Sequence, residues 1–356
     1  MQNELETYTV NSVKNINTLC YKLMMKLIIL LLLYADSIFC SWESWWSYDG
    51  ISGPEFWGLI YPQWQVCSKG KRQSPINIET NKLLFDPTLG DFQIDGPNVN
   101  GLLQNTGRSL EFKMTDDTEV VFSGGPLSYK YQFEGINIHY GLSDPLGSEH
   151  QINGKYFSGE IQLYGYNKEL YRNMTEAREK PRGVVGVSVM VKVGDMTSRL
   201  ELRLLTSALT KIAYVGTSHS INDLSITSLL PETKKYMTYE GSLTEPGCWE
   251  SAVWVIYNQP IFITKQEMYA IRRLMKGTME NPKDSLGNNS RKIQPSVVTK
   301  KKQIVPKKHD SKQPKSHIIF LAASSSRLSA LKYILNLIIN IYFFSLLRGK
   351  NLIIFL

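Results

Sequence analysis

Histidine is scarce in this chain: five occur among 356 residues, and only His139, His150 and His219 precede residue 296. Imidazole is the usual ligand of a zinc ion that keeps one position open for water, so little material for such a site is present. Cysteine is also rare. Of four, Cys20 and Cys40 lie in or before an N-terminal apolar segment, leaving Cys67 and Cys248 for the body of the protein. Long hydrophobic runs are missing as well. The N-terminal run, Leu27 to Leu33, is far below the roughly 20 residues that span a bilayer, and the best C-terminal run, Tyr333 to Leu347, includes Asn336 and Asn340. Positive charge is lacking where a nucleic-acid-binding domain would need it. The whole chain carries +8, but residues 296–356 hold nine Lys, two Arg and one Asp, a surplus of ten, so the preceding 295 residues sum to −2. No internal repeat is visible.

What is present begins with "MMKLIILLLLYADSIFCS", a lysine beside a short apolar run followed by small and polar residues. This is the layout of a secretory signal peptide starting at Met24 or Met25 and cleaved between Ala35 and Ser41, with residues 1–23 an upstream extension. A secreted chain passes through an oxidising compartment, where Cys67 and Cys248 either pair or stay as two separate buried thiols. The sequons at Asn173 (Asn-Met-Thr) and Asn288 (Asn-Asn-Ser) suit glycosylation on a secreted surface.

From Trp42 to about Pro295 the pattern is one of short strands and turns. "SLEFKM" and "EVVFSG" alternate on either side of "TDDT", "GVVGVSVMVKVG" is rich in valine, and "SAVWVIYNQPIFIT" spaces Val253, Val255, Ile261 and Ile263 as strands do. The clearest helix is "TKQEMYAIRRLMKG". Thr264 and Glu267 form a capping box, Met268, Ile271 and Met275 an apolar core stripe, and Gly277 the stop. Beyond Pro295 the chain becomes a basic, aperiodic stretch and then an apolar tail.

"INIHYGLSDPLGSEH" (136–150) opens as a strand with Ile136 and Ile138 on one face and Asn137 and His139 on the other. "GEIQLYGYN" (159–167) places Glu160, Gln162 and Tyr164 on one face, and the two polar faces are able to meet. Taken with "WGLIYPQW" and "CSKGKRQSPINIET" (57–80), "NTGRSLEF" (105–112), "FSGGPL" (122–127) and "YEGSLTEPGCWESAVWVI" (239–256), these blocks resemble the α-carbonic anhydrases in order and spacing. The resemblance covers about Trp45 to Pro295. It implies a mostly β fold, with a large central twisted, mainly antiparallel sheet and short peripheral helices.

Active members of that family hold zinc with three histidines. The matching positions are Asn137, His139 and Gln162, so two of three ligands are amides, whose neutral carbonyl oxygens substitute poorly for imidazole. If about 10–16 kcal/mol of zinc affinity is shared by four ligands, two losses remove many orders of magnitude. Without the metal, no bound water loses its proton near neutral pH. Thr244 and Glu149 match the pair that orients the zinc-bound hydroxide, and are expected here to keep a structural hydrogen bond. Glu160 matches an acid that steadies the third ligand. Arg108 stands at the proton-shuttle histidine position, and Glu245 replaces a small polar residue beside Thr244. His150 is expected in a turn and His219 on a loop, neither with a metal role.

The wording lies closest to the secreted, acatalytic branch of carbonic anhydrase-related proteins ten and eleven. That branch implies a Cys67–Cys248 disulfide, a glycan at Asn173, no cofactor, and binding to an extracellular or cell-surface protein of the neurexin kind. The expected organisation is leader (1–40), carbonic anhydrase-like domain (41–297), basic linker (298–316) and apolar tail (317–356). For the tail, a lipid-anchor signal, a membrane-surface helix and an incorrect chain terminus are the readings. The alternative function is zinc-dependent hydration of carbon dioxide at a rearranged metal site.

Overall fold

The computed structural model describes residues 24–26, 45–295 and 302–303. The leader run, Cys20, Cys40, the apolar tail and most of the basic linker lie outside these residues. Fifteen strands are present among those described: β1 (Asn77–Ile78), β2 (Leu84–Phe85), β3 (Phe92–Asp95), β4 (Val99–Asn105), β5 (Leu110–Met114), β6 (Val121–Gly124), β7 (Tyr131–Tyr140), β8 (Gln151–Ile152), β9 (Gly159–Asn167), β10 (Val184–Val193), β11 (Ser218–Leu224), β12 (Tyr236–Gly241), β13 (Ala252–Tyr257), β14 (Ile261–Ile263) and β15 (Lys302–Gln303). Thirteen form one sheet in the order β11-β4-β5-β7-β9-β10-β13-β12-β15-β2, with β14 beside β10, β6 beside β7 and β3 beside β6. Most neighbours are antiparallel; β10 runs parallel to β13 and β14, and β15 to β2. Helices among the described residues are short, the longest being Leu200–Ser207. The mostly β reading of the sequence is therefore right.

The centre of the sheet is where the valine-rich run falls. In β10 the first eight residues are all buried, as expected of a strand covered on both faces. Register then sorts side chains by parity. Ile136, Ile138, Ile161, Leu163, Val185, Val187 and Val189 face the main apolar core. On the other face, Asn137 pairs across β7–β9 with Gln162, which pairs with Ser188 of β10; His139 pairs with Glu160. A second apolar cluster, including Trp254, Met190 and Tyr239, packs on this polar side. Gly186 admits Trp254 here, since a Cβ would lie 2.7 Å from the indole.

"SLEFKM" and "EVVFSG" both lie along β7: β5 sets Phe112 against Ile136 and β6 sets Val121 against Gln132. Two local expectations change. His219 belongs to β11, not to a loop. The capped helix starts at Lys265, with Thr264 and Glu267 closing the capping box, but it ends at Ile271. The Arg272 guanidinium is drawn to the Gly141 carbonyl (2.8 Å) and Asp144 (2.8 Å), and Met275 enters a bridge with Ser285. Lys302 and Gln303, inside the stretch read as linker, extend the sheet between β12 and β2.

Of the two fates open to the cysteines, pairing is found: Cys67 and Cys248, 181 residues apart, form a disulfide among Trp57 and Trp64.

Candidate functional site

The polar face of β7 and β9 becomes a site because two other segments close over it. The small parallel sheet β1–β8 sets "SPINI" beside "SEHQI", which carries Ser74 toward Glu149 and His150. From the far end of the domain, Asn288 and Asn289 lock onto the end of β7: the Asn288 amide donates to the Tyr140 carbonyl, and the Asn289 side chain bonds Tyr140 N (2.9 Å) and the Ile138 carbonyl (2.9 Å). His139, Glu149, His150, Glu160, Gln162 and Thr244 are all 0% exposed.

Saturation of polar groups governs this interior, because an unpaired buried group costs about 1–3 kcal/mol. Glu160 accepts five hydrogen bonds, from the amides of Glu149 and His150, from His150 Nδ1 at 2.7 Å, from Gln162 Nε2 at 2.9 Å and from Ser188 Oγ at 2.8 Å. Burial alone would raise its pKa; the His150 ring and these bonds outweigh it, and the carboxyl is depressed to about 2. On its other side, His150 Nε2 meets the Tyr239 hydroxyl, which donates to Ser74 Oγ.

Gln162 occupies the third expected ligand position, and its amide is fixed by its neighbours. Nε2 donates to Glu160 and to Glu149 Oε2 (2.9 Å), while Oε1 accepts from the Tyr164 hydroxyl at 2.6 Å. A reversed amide would set an oxygen against two carboxylates. Glu149 also accepts from the Arg291 amide at 2.8 Å. With its oxygens so engaged, Glu149 does not make the expected bond to Thr244. The Thr244 hydroxyl is buried beside the Tyr164 phenol, without a hydrogen bond of normal geometry.

His139 faces oxygen on both sides. Nδ1 lies 2.6 Å from the Asn289 carbonyl, and Nε2 lies 3.1 Å from Gln162 Oε1 and 3.6 Å from Glu149. Only the imidazolium donates from both nitrogens. Burial opposes that charge, but Glu149, the Asn289 carbonyl, Glu160 and Glu245 more than compensate, and the pKa is raised. Asn137 donates to Glu245 at 2.7 Å, and Glu245 also pairs with Arg178 at 3.4 Å. Arg108, expected at the shuttle position, is half-buried and lies over Trp46 at 4.7 Å; burial lowers its pKa.

This donor set does not fit zinc. Asn137 and Gln162 direct amide nitrogens at carboxylates, and the one imidazole among the three ligand positions has both nitrogens facing acceptors rather than offering a lone pair. His139, His150 and His219 do not converge either, since His219 sits beside Lys211 on β11. Among the described residues no group of three or more His, Cys, Asp or Glu is arranged to hold a metal ion.

Two contributors were not singled out in the sequence. Arg291, buried, donates to the carbonyls of Ser74 (2.6 Å) and Cys67 (3.0 Å) and to Gln73 Oε1 (3.0 Å); burial lowers its pKa to about 10. Asn289 appears in the sequence only as the middle of the Asn288 sequon. Nothing in "GNNSR" announces a core role. The two sequon asparagines are exposed, Asn173 as the N-cap of Met174–Ala177 and Asn288 in a left-handed turn with φ 60°.

The sheet, the register of β7 on β9 and the matched blocks define a carbonic anhydrase fold. Residues 52–304 match the eukaryotic-type carbonic anhydrase family, and the chain belongs to it. It is 40% identical over 244 residues to carbonic anhydrase-like protein 2 of Caenorhabditis elegans, an alignment covering 67% of this chain and 72% of that protein.

Proposed function

We propose that this chain is a catalytically silent, secreted carbonic anhydrase-related protein that serves as an extracellular protein-binding module. The observation that carries the reading is the state of Asn137 and Gln162: both amides are committed to glutamates, so neither position offers a lone pair to a metal that would activate water. The leader, the disulfide and the exposed sequons support a secretory route. By resemblance, the partner is a cell-surface protein of the neurexin kind, at neuronal or synaptic surfaces. Fold alone does not specify it.

Purified full chain, assayed for bound zinc and for carbon dioxide hydration, is expected to carry far less than one zinc per molecule and to leave the uncatalysed rate unchanged. Stoichiometric zinc with hydration that a sulfonamide abolishes would overturn the silent reading. For the binding role, full chain displayed to cell surfaces should enrich a protein that an active carbonic anhydrase does not. Equal recovery on both would sink it.

A further inference from the structure

A groove of 520 Å³ lies between the helix Lys265–Ile271, the turn Leu209–Lys211 and the Met275–Ser285 bridge. Its walls are aromatic and apolar, among them Tyr214, Tyr269, Leu274, Met275 and Pro282. Met275 is here because the helix stops early, which turns a residue of the predicted core stripe into a wall of the groove.

The charged lining is of one sign: Arg272 and Arg273, with no acidic residue among the lining side chains. Arg272 is occupied by Gly141 and Asp144. Arg273 is exposed and stacks over the Tyr269 ring at 5.8 Å, and among the described residues its guanidinium has no acidic partner. This cation–π contact leaves the guanidinium N–H donors free for a carboxylate. Tyr269 is 64% exposed. Exposed Lys211, next to the lining Thr210, adds positive charge, and the exposed neighbours Lys283 and Asp284, just before the lining Ser285, sum to zero. Exposed Tyr and Arg beside an apolar trough are the residue types that anchor protein interfaces.

We propose that this groove docks an extended acidic segment of a partner protein, one carboxylate on Arg273 and an adjacent apolar or aromatic side chain between Tyr214 and Met275. It rests on the protein-binding reading and gives it a surface. A sulfated polysaccharide is the poorer match, because it would leave the apolar walls uncovered and find one unpaired guanidinium rather than a basic stripe.

The probe is a fluorescein-labelled peptide, Glu-Asp-Leu-Glu-Tyr-Glu-Asp, titrated with full chain and read by anisotropy. Saturable binding is expected, at least tenfold weaker for Arg273→Glu and for Tyr269→Ala. It should be absent for a peptide with Gln and Asn in place of Glu and Asp, with near-ultraviolet circular dichroism showing both variants folded. No saturable binding, equal binding by Arg273→Glu, or equal binding of the neutral peptide overturns the proposal. So does Arg273-dependent binding confined to a heparin octasaccharide, or an Arg273-dependent dimer in sedimentation, which would seat a second copy in the groove. Cell-surface capture separates the two levels. If a chain carrying both Arg273→Glu and Tyr269→Ala captures the partner as well as the natural chain does, the groove is wrong and the module reading stands; if the natural chain captures nothing, the module reading fails and the peptide titration decides the groove by itself.

Discussion

The floor and the mouth of the polar site on β7 and β9 handle charge in opposite ways. At the floor, Glu149, Glu160, His139, His150 and Arg291 are shut away from water: His150 bonds Glu160, Gln162 and the Arg291 backbone amide donate to Glu149, and the Arg291 guanidinium is held by carbonyl oxygens. At the mouth, the Glu245–Arg178 pair is about one third exposed, at 31% and 33%, and Arg178 rests on Trp249 at 4.7 Å. Water screens the outer charges, so altering one there costs little. Removing one buried partner strands the others. The floor is therefore a structural unit of the fold, and the mouth is a surface free to vary.

The contrast can be broken most forcibly at the staple under the floor. The Cys67 and Cys248 carbonyls accept from Arg291 and Gln73, so the disulfide anchors the network as well as closing a long loop. Replacing both cysteines by serine is expected to cost up to about 5 kcal/mol by loop-closure entropy, measured by urea unfolding. A midpoint equal to that of the natural chain would show that the floor stands without it.

Glu160→Leu comes next. Five donors lose their acceptor, and about 3–5 kcal/mol should be lost in the same assay. If this variant proves no less stable than a mouth variant such as Arg178→Ala, the distinction between floor and mouth is gone.

Protonation tests the floor without mutation. The Glu160 pKa is lowered in the fold, so its contribution, about 3 kcal/mol from the depression to about 2, is complete above the unfolded carboxyl value and disappears as pH falls through about 2. The His139 pKa is raised, so its contribution is complete below about 6.5, the unfolded imidazole value, and is lost as pH rises through the folded pKa. Stability measured against pH should thus decline on both the acid and the alkaline side, and His139→Gln should remove the alkaline loss that this group contributes. An alkaline limb unchanged in that variant would assign it elsewhere.

The smallest effect belongs to the mouth: Arg178→Ala should shift stability by less than about 1 kcal/mol, because salt and water already weaken the pair. Chelator treatment of the natural chain should leave its melting temperature unchanged, since no donor set among the described residues fits zinc.

Much of this was legible because strands carry a period of two. The alternation Ile136, Asn137, Ile138, His139 fixed which side chains share a face, and matched spacing paired them with Gln162 and Glu160. The capping box at Thr264 was likewise local, needing only residues three apart. The helix end was not, because Arg272 leaves the helix for Gly141 and Asp144, more than 120 positions away. Thr244 failed for the same reason. Its expected partner Glu149 is claimed by Arg291 and Gln162, and no spacing within "GSLTEP" records that competition.

By itself, then, the sequence determined the strands and the polar stripe across β7 and β9, which follow from residue type and short-range periodicity, while the reading of Asn137 and Gln162 as replaced ligands comes from the resemblance of the matched blocks. Tertiary structure alone decided where protons and charges settle. Asn289 and Arg291 reach the floor from the far end of the domain, and a buried charge takes its state from whatever surrounds it in space.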